Sequence, residues 1–147
     1  MPKEKIVSLN KALSKISGLY QKWFQQRQLN GYLMRAMTAL HMENELSQKE
    51  ISEGYQIPRQ TVNNAVKALE KDGHVELFQD ELDKRWKKIR FTETGRQFAE
   101  ESLTPLIRLD EKILQRMGNE KYTQFISLLE LYGELLEQEI KEDAKNK

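Results

Sequence analysis

The stretch Ser47–Phe91, SQKEISEGYQIPRQTVNNAVKALEKDGHVELFQDELDKRWKKIRF, decides the fold. Ser47 followed three places on by Glu50 is a capping box: the hydroxyl takes a first-turn N–H and the carboxylate reaches back to the cap. A helix therefore begins there, with Ile51 pointing inward. Gly54, Tyr55 and Gln56 end it after about two turns, because glycine is costly inside a helix and common just past its end. Pro58 opens the next helix, since its missing N–H falls where no intrahelical partner exists. Val62, Ala65, Val66 and Leu69 recur at helical spacing and form one buried stripe. Gly73 stops this helix, Val75 and Leu77 alternate as in a strand, residues 80–84 are polar and turn-like, and residues 86–91 pair back as a second strand. Short helix, tight turn, longer helix and hairpin make a helix-turn-helix carrying a wing.

Projected at about 3.6 residues per turn, Gln60, Asn63, Asn64, Lys67 and Lys71 fall opposite the buried stripe, with Arg59 and Thr61 on its flanks. That face carries amides and cations but no acid. Asparagine and glutamine pair with the edge of adenine, arginine with guanine or phosphate, and threonine with phosphate or a thymine methyl. An ordinary solvated helix face has similar residues, but the short helix before it and the basic hairpin after it favour double-stranded DNA as partner. Ser47 and Gln48, at the start of the first helix, join the candidate contacts. Lys84, Arg85, Lys87, Lys88 and Arg90 stand in a seven-residue run without an acid. Such a run suits phosphate contact or entry of an arginine into the minor groove, and it equally describes an edge hairpin guarded by lysines.

With these residues in view, the region resembles the MarR family of winged helix-turn-helix transcriptional regulators. The resemblance is carried by LSQKEIS (46–52), IPRQTVNNAVKALEKDGHVE (57–76), the wing tip Asp83-Lys84-Arg85, and FTETG (91–95). It implies that Asp83 positions Arg85 for the minor groove, and that the chain works as a helical homodimer on a pseudo-palindromic operator. Two positions depart from the family pattern. Gln56 stands where glycine is frequent in the turn, which requires of it a less favourable backbone angle. Pro58 stands where serine is frequent at the cap, and it has no hydroxyl to offer.

The composition bounds the rest. With 147 residues the chain suits one compact domain, or a small lobe with dimerising arms. Its 24 basic and 23 acidic residues nearly cancel, so the case for nucleic acid rests on how charge is segregated. The wing is basic, whereas the last helix carries Glu130, Glu134, Glu137, Glu139, Glu142 and Asp143. Cysteine is absent, which excludes disulfides, thiolate metal sites and cysteine-based oxidant sensing. The opening MPKEKIVSLNK lacks the apolar core of a signal peptide and no segment is long enough to span a bilayer, so a cytoplasmic protein without membrane attachment is expected.

Outside the central stretch, Leu9, Leu13, Ile16, Tyr20 and Trp23, widened by Ala12 and Leu19, predict an amphipathic helix from about Ile6 to Gln26. Asn30 and Gly31 break the chain before a second helix with Tyr32, Leu33, Ala36, Met37 and Leu40, ending near residues 41–44. After the wing, Thr92 caps a long helix through Phe98, Leu106, Leu109, Ile113 and Met117, which Pro105 should kink or interrupt. Gly118 stops it and Asn119 caps the last helix, where Tyr122, Phe125, Ile126, Leu129, Tyr132, Leu136 and Ile140 share a side. These helices have more apolar face than the central lobe needs, which argues for a homodimer. The expected fold is mainly α with a small β-hairpin wing. Residues 30–91 form the winged lobe, and residues 1–29 and 92–147 form a helical dimerisation region.

Two histidines, His41 and His74, are too sparse for a metal site, and neither a serine-histidine-acid pattern nor a phosphate loop is present, so neither cofactor nor catalysis is expected. The family resemblance implies a cleft for a small aromatic or anionic effector, which Tyr20, Trp23, Tyr32 and His41 could line; the same aromatics also read as core. The expected function is a sequence-specific DNA-binding regulator, a repressor in preference to an activator. The competing expectation is a winged-helix module that docks a protein instead.

Overall fold

The computed structural model describes residues 2–147. In chain order the elements are α1 (Pro2–Gln26), α2 (Gly31–Glu43), β1 (Leu46–Ser47), α3 (Gln48–Tyr55), α4 (Arg59–Lys71), β2 (Val75–Gln79), β3 (Lys87–Phe91), α5 (Glu93–Met117) and α6 (Asn119–Lys145). The fold is mainly helical with one small antiparallel sheet, and the chain divides into two compact units, Met1–Leu103 and Thr104–Lys147.

In the first unit, Asn30 caps α2 by accepting from the N–H groups of Tyr32 at 2.9 Å and Leu33 at 3.2 Å. α2 then buries Met34, Ala36, Met37, Ala39 and Leu40. The capping box forms as expected: the Ser47 hydroxyl accepts from Glu50 N–H at 3.1 Å, and the Glu50 carboxylate accepts from Ser47 N–H at 3.4 Å. α3 stops at Gln56, whose φ of 50° and ψ of 49° lie in the left-handed region. The glycine-poor turn is held instead by Ser52, whose hydroxyl donates to the Ile57 carbonyl at 2.6 Å while its own carbonyl accepts from Ile57 N–H at 3.1 Å. Pro58 does not occupy the first helical position. It is the N-cap of α4, without a side-chain hydrogen bond, and Arg59 begins the helix.

Val62, Val66 and Leu69 of α4 are buried, and Ala65 is half-buried. They meet Met34, Met37, Leu40, Ile51 and Ile89 in the lobe's core, which Ala99 and Leu103 of α5 complete. Each large aliphatic side chain removed from water there stabilises the lobe by about 2 kcal/mol. β2 and β3 pair in the expected hairpin, with Val75 opposite Phe91 and Leu77 opposite Ile89. A third strand was not expected: β1 pairs with β3, Leu46 opposite Ile89 and Ser47 opposite Lys88, giving the order β1-β3-β2. Two residues are too few to show an alternation, so this strand left no periodic signal.

Thr92 does cap α5. Its hydroxyl accepts from Gly95 N–H at 3.0 Å and donates to the Gly73 carbonyl at 2.7 Å, while its N–H donates to the His74 carbonyl at 3.0 Å. The end of α4 and the start of α5 are thereby tied together. α5 continues through Pro105 as one helix. In the second unit, Gly118, with φ of 83°, is the N-cap of α6, and Asn119 is the first helical residue rather than its cap. Neither α1 nor α6 has a buried residue among those described. Ile6, Val7, Leu13, Ile16 and Leu19 of α1 and Phe125, Ile126, Leu129, Tyr132 and Leu136 of α6 are all exposed. No described helix is long and apolar enough to cross a membrane.

Candidate nucleic-acid interface

α4 turns its apolar stripe into the core, which leaves its polar face outward. Arg59, Gln60, Asn64, Lys67 and Lys71 are exposed, and Thr61 and Asn63 are half-buried. Gln60 Nε2 donates to Asn64 Oδ1 at 3.0 Å, one helical turn apart, so the two amides present a joined donor and acceptor edge. Arg59 sits 3.9 Å from Glu53 of α3, a solvated pair that leaves the guanidinium 75% exposed. Ser47 differs from the other candidates, because it is buried and its hydroxyl is engaged in the cap. Its position lets it fix the direction of α3, with half-buried Gln48 as the next residue out.

The wing is held by its own backbone and side chains. Asp80 N–H donates to the Trp86 carbonyl at 3.0 Å, Trp86 N–H to the Asp83 carbonyl at 3.1 Å, and Gln79 Nε2 to the Lys84 carbonyl at 2.7 Å. Within this frame Asp83 grips Arg85. Oδ1 accepts from Arg85 Nε at 3.0 Å and from Arg85 N–H at 3.1 Å, and Oδ2 accepts from Nη2 at 2.9 Å. The Arg85 side-chain bonds, joined by the backbone N–H, hold the Asp83 carboxyl below the usual carboxylate range, and the carboxylate in turn raises the pKa of Arg85. The arginine is nonetheless 84% exposed. A planar guanidinium is therefore presented to solvent in a fixed orientation, the geometry that a narrow, negative groove rewards.

Lys84 and Lys87 flank that arginine and are exposed. Arg90, the last cation of the run, is turned elsewhere: it pairs with Glu76 at 2.7 Å, approaches Glu45 at 3.9 Å and lies over the Phe78 ring at 4.3 Å. Its charge is locally neutralised, which spacing alone did not reveal. Sequence reasoning also passed over Lys49, whose ammonium stands 5.5 Å from the Trp86 ring centroid and links α3 to the base of the wing. A lone lysine on α3 and a lone tryptophan on β-flanking chain carry no shared periodicity that would connect them.

The four candidate effector residues have the following surroundings. Tyr20 and Trp23 each pack on Phe24 along α1, and Arg27 lies 4.0 Å over the Trp23 ring. Tyr32 has Arg35 over its ring at 4.9 Å. His41 lines a separate cavity of about 310 Å³ with Asn44, Arg90, Phe91 and Arg96, which none of the three aromatics enters.

The comparisons with known proteins agree with this geometry. The model of the MarR family matches residues 34–85, the span from α2 to the wing tip. A MarR family regulator from Neisseria meningitidis is 27% identical with a TM-score of 0.83, over 95% of this chain and 98% of that one. MepR of S. aureus in its DNA-binding conformation shares the fold at 19% identity and a TM-score of 0.72, over 89% of this chain and 98% of that one. NadR in complex with 4-hydroxyphenylacetate does so at 20% identity and a TM-score of 0.71, over 86% of this chain and 89% of that one. No curated protein sequence matches the chain. A capped short helix, an outward amide face, an aspartate-clamped wing arginine and these likenesses lead to one conclusion: residues 34–85 match the MarR family of winged helix-turn-helix transcriptional regulators, and the chain as a whole is similar in fold to regulators of that family.

Proposed function

We propose that the protein binds double-stranded DNA as a homodimer and represses transcription from a pseudo-palindromic operator. The observation that carries this reading is the Asp83–Arg85 clamp beside the acid-free amide face of α4. In each copy Gln60, Asn63 and Asn64, with Thr61, contact base edges in the major groove. Arg59, Lys67, Lys84 and Lys87 meet phosphates, Arg85 enters the minor groove, and Ser47 and Gln48 set the front of α3 against the backbone. Residues 30–91 act as the DNA lobe, and residues 1–29 and 92–147 as the dimerising part. Two copies place their α4 helices about 34 Å apart, in successive major grooves. The exposed apolar faces of α1 and α6 support a second copy as the partner.

Release by a small aromatic anion is part of the proposal, supported by the structural likeness to NadR, which is solved with 4-hydroxyphenylacetate. Such a ligand acts by differential affinity for two spacings of the wings. Selection of bound sequences from random duplex DNA tests the whole reading. A two-fold symmetric consensus is expected. Recovery of no consensus, together with no salt-sensitive binding to any duplex, would mean that the lobe docks a protein instead.

A further inference from the structure

The wing tip carries a side chain that the charge-based reading leaves unused. Leu82 is 98% exposed, so it touches essentially nothing in its own chain. It is nonetheless held in place rather than left on a slack loop. Its N–H donates to Asp80 Oδ1 at 3.1 Å, and Asp83, the next residue, accepts from Arg85 N–H at 3.1 Å, so two side-chain-closed turns stand back to back at the tip. A leucine displayed in this way contributes nothing to folding and is a liability in water. Its neighbours are charged, yet Asp80 and Asp83 are engaged with the backbone and with Arg85, leaving Glu81 as the one acid of the tip without such a bond among those shown.

We propose that Leu82 is the apolar minor-groove contact of the wing, lying on the deoxyribose wall of the groove that Arg85 enters. The inference rests on the DNA-binding reading of the wing and extends it. The minor groove offers two chemistries side by side, an electronegative floor that attracts a guanidinium and C–H walls that attract an alkyl group. Leu82 and Arg85 supply one side chain for each, three residues apart on one rigid tip. Continuity with the arginine argues for DNA as the occupant, since a wing seated in the groove carries its neighbouring leucine in with it.

The test is fluorescence anisotropy on a labelled duplex bearing the sequence that the wild-type protein selects, at several salt concentrations. Leu82→Ser is expected to weaken binding about tenfold per dimer, because partial burial of two leucine side chains is lost. Its salt slope should equal that of the wild type, because an alkyl group displaces no counterions. Leu82→Met should bind within about twofold of wild type, since it restores the apolar contact. Thermal unfolding of free Leu82→Ser should be unchanged, which separates a contact from a folding defect. Unaltered affinity of Leu82→Ser alongside weakened Arg85→Ala overturns this inference and leaves the DNA reading standing. A flattened salt slope in Leu82→Ser overturns it too, because the loss then acts through the arginine. Absence of salt-sensitive duplex binding by the wild type removes both.

Discussion

Gly95 lies against the backbone of His74 so closely that a Cβ at position 95 would overlap the His74 carbonyl. The contact closes the junction at which Thr92 bridges to Gly73, and the His74 ring stacks flat on Phe98 at 4.1 Å. Backbone on one side and helix on the other leave no flexible group to yield. Gly95→Ala is therefore expected to destabilise the protein by about 3 kcal/mol, at the upper end of ordinary overpacking. Urea unfolding at matched protein concentration checks it, and a loss under about 1 kcal/mol would mean that the α5 start shifts freely.

The Ser47–Glu50 capping box should be visible as a stability term distinct from any DNA contact. Ser47→Ala removes the acceptor for Glu50 N–H inside a buried strand, at an expected cost of about 1 kcal/mol. Ser47→Asp keeps an acceptor at the cap and should recover part of that loss in the same unfolding measurement. Equal losses for both variants would assign the effect to packing in β1 instead.

Gln56 occupies left-handed backbone with φ of 50°, where a side chain is a burden. Gln56→Gly should stabilise the protein by about 0.5–1 kcal/mol, less the exposed bond from its amide to the Glu53 carbonyl. A lower denaturation midpoint in the variant would show that this bond outweighs the backbone strain.

How much of this was legible in the letters varies with the range of the interaction. Ser47–Glu50 and Thr92 lie within three residues of the groups they cap, so local spacing foretold them, whereas Asn30, read only as a break before α2, is its cap as well. The α4 stripe Val62, Val66 and Leu69 was foretold by helical period. The Asp83–Arg85 clamp was legible only through family resemblance, because Asp-x-Arg has no meaning in periodicity alone. Strand β1 and the diversion of Arg90 to Glu45 and Glu76 depend on chain segments far apart in sequence. Pro58 reads both as the opener of α4 and, through the family resemblance, as its cap; it is the N-cap, without a side-chain bond.

The wing clamp carries a prediction about protonation as well as one about affinity. Asp83 has its pKa lowered by Arg85, so the clamp is complete at neutral pH and is lost as pH falls through that depressed value, below the ordinary carboxylate range. In Arg85→Ala the Asp83 carboxyl should titrate nearer the ordinary range, read by NMR of the side-chain carbon. The same variant should bind DNA more weakly, with a log–log salt slope shallower by about one unit per wing. Asp83→Asn keeps the cation but loosens its aim, so it should lose affinity with the slope nearly intact. An Asp83 titration that does not move in Arg85→Ala would sink the clamp.

The last expectation concerns α6, whose residues Phe125, Leu129, Tyr132 and Leu136 recur every three to four positions on one exposed face. A second stripe, Leu128, Leu131 and Leu135, is exposed beside it, with Leu128 at 64%. An apolar surface of that breadth is stable in water only when something covers it, and a second copy is the partner available to every molecule. In the proposed homodimer, Leu129→Glu with Leu136→Glu places four carboxylates in an interface that has to desolvate them, so the double variant should sediment as a monomer. Helical content by circular dichroism tells whether the loss is one of pairing alone. Binding to a two-half-site duplex should then fall at least about a hundredfold, since the second half-site is no longer met intramolecularly. Binding to a single half-site should change far less, because α4 and the wing are untouched. A double variant that remains dimeric with full operator affinity would place the subunit contact elsewhere in the chain and leave the apolar face of α6 without an occupant.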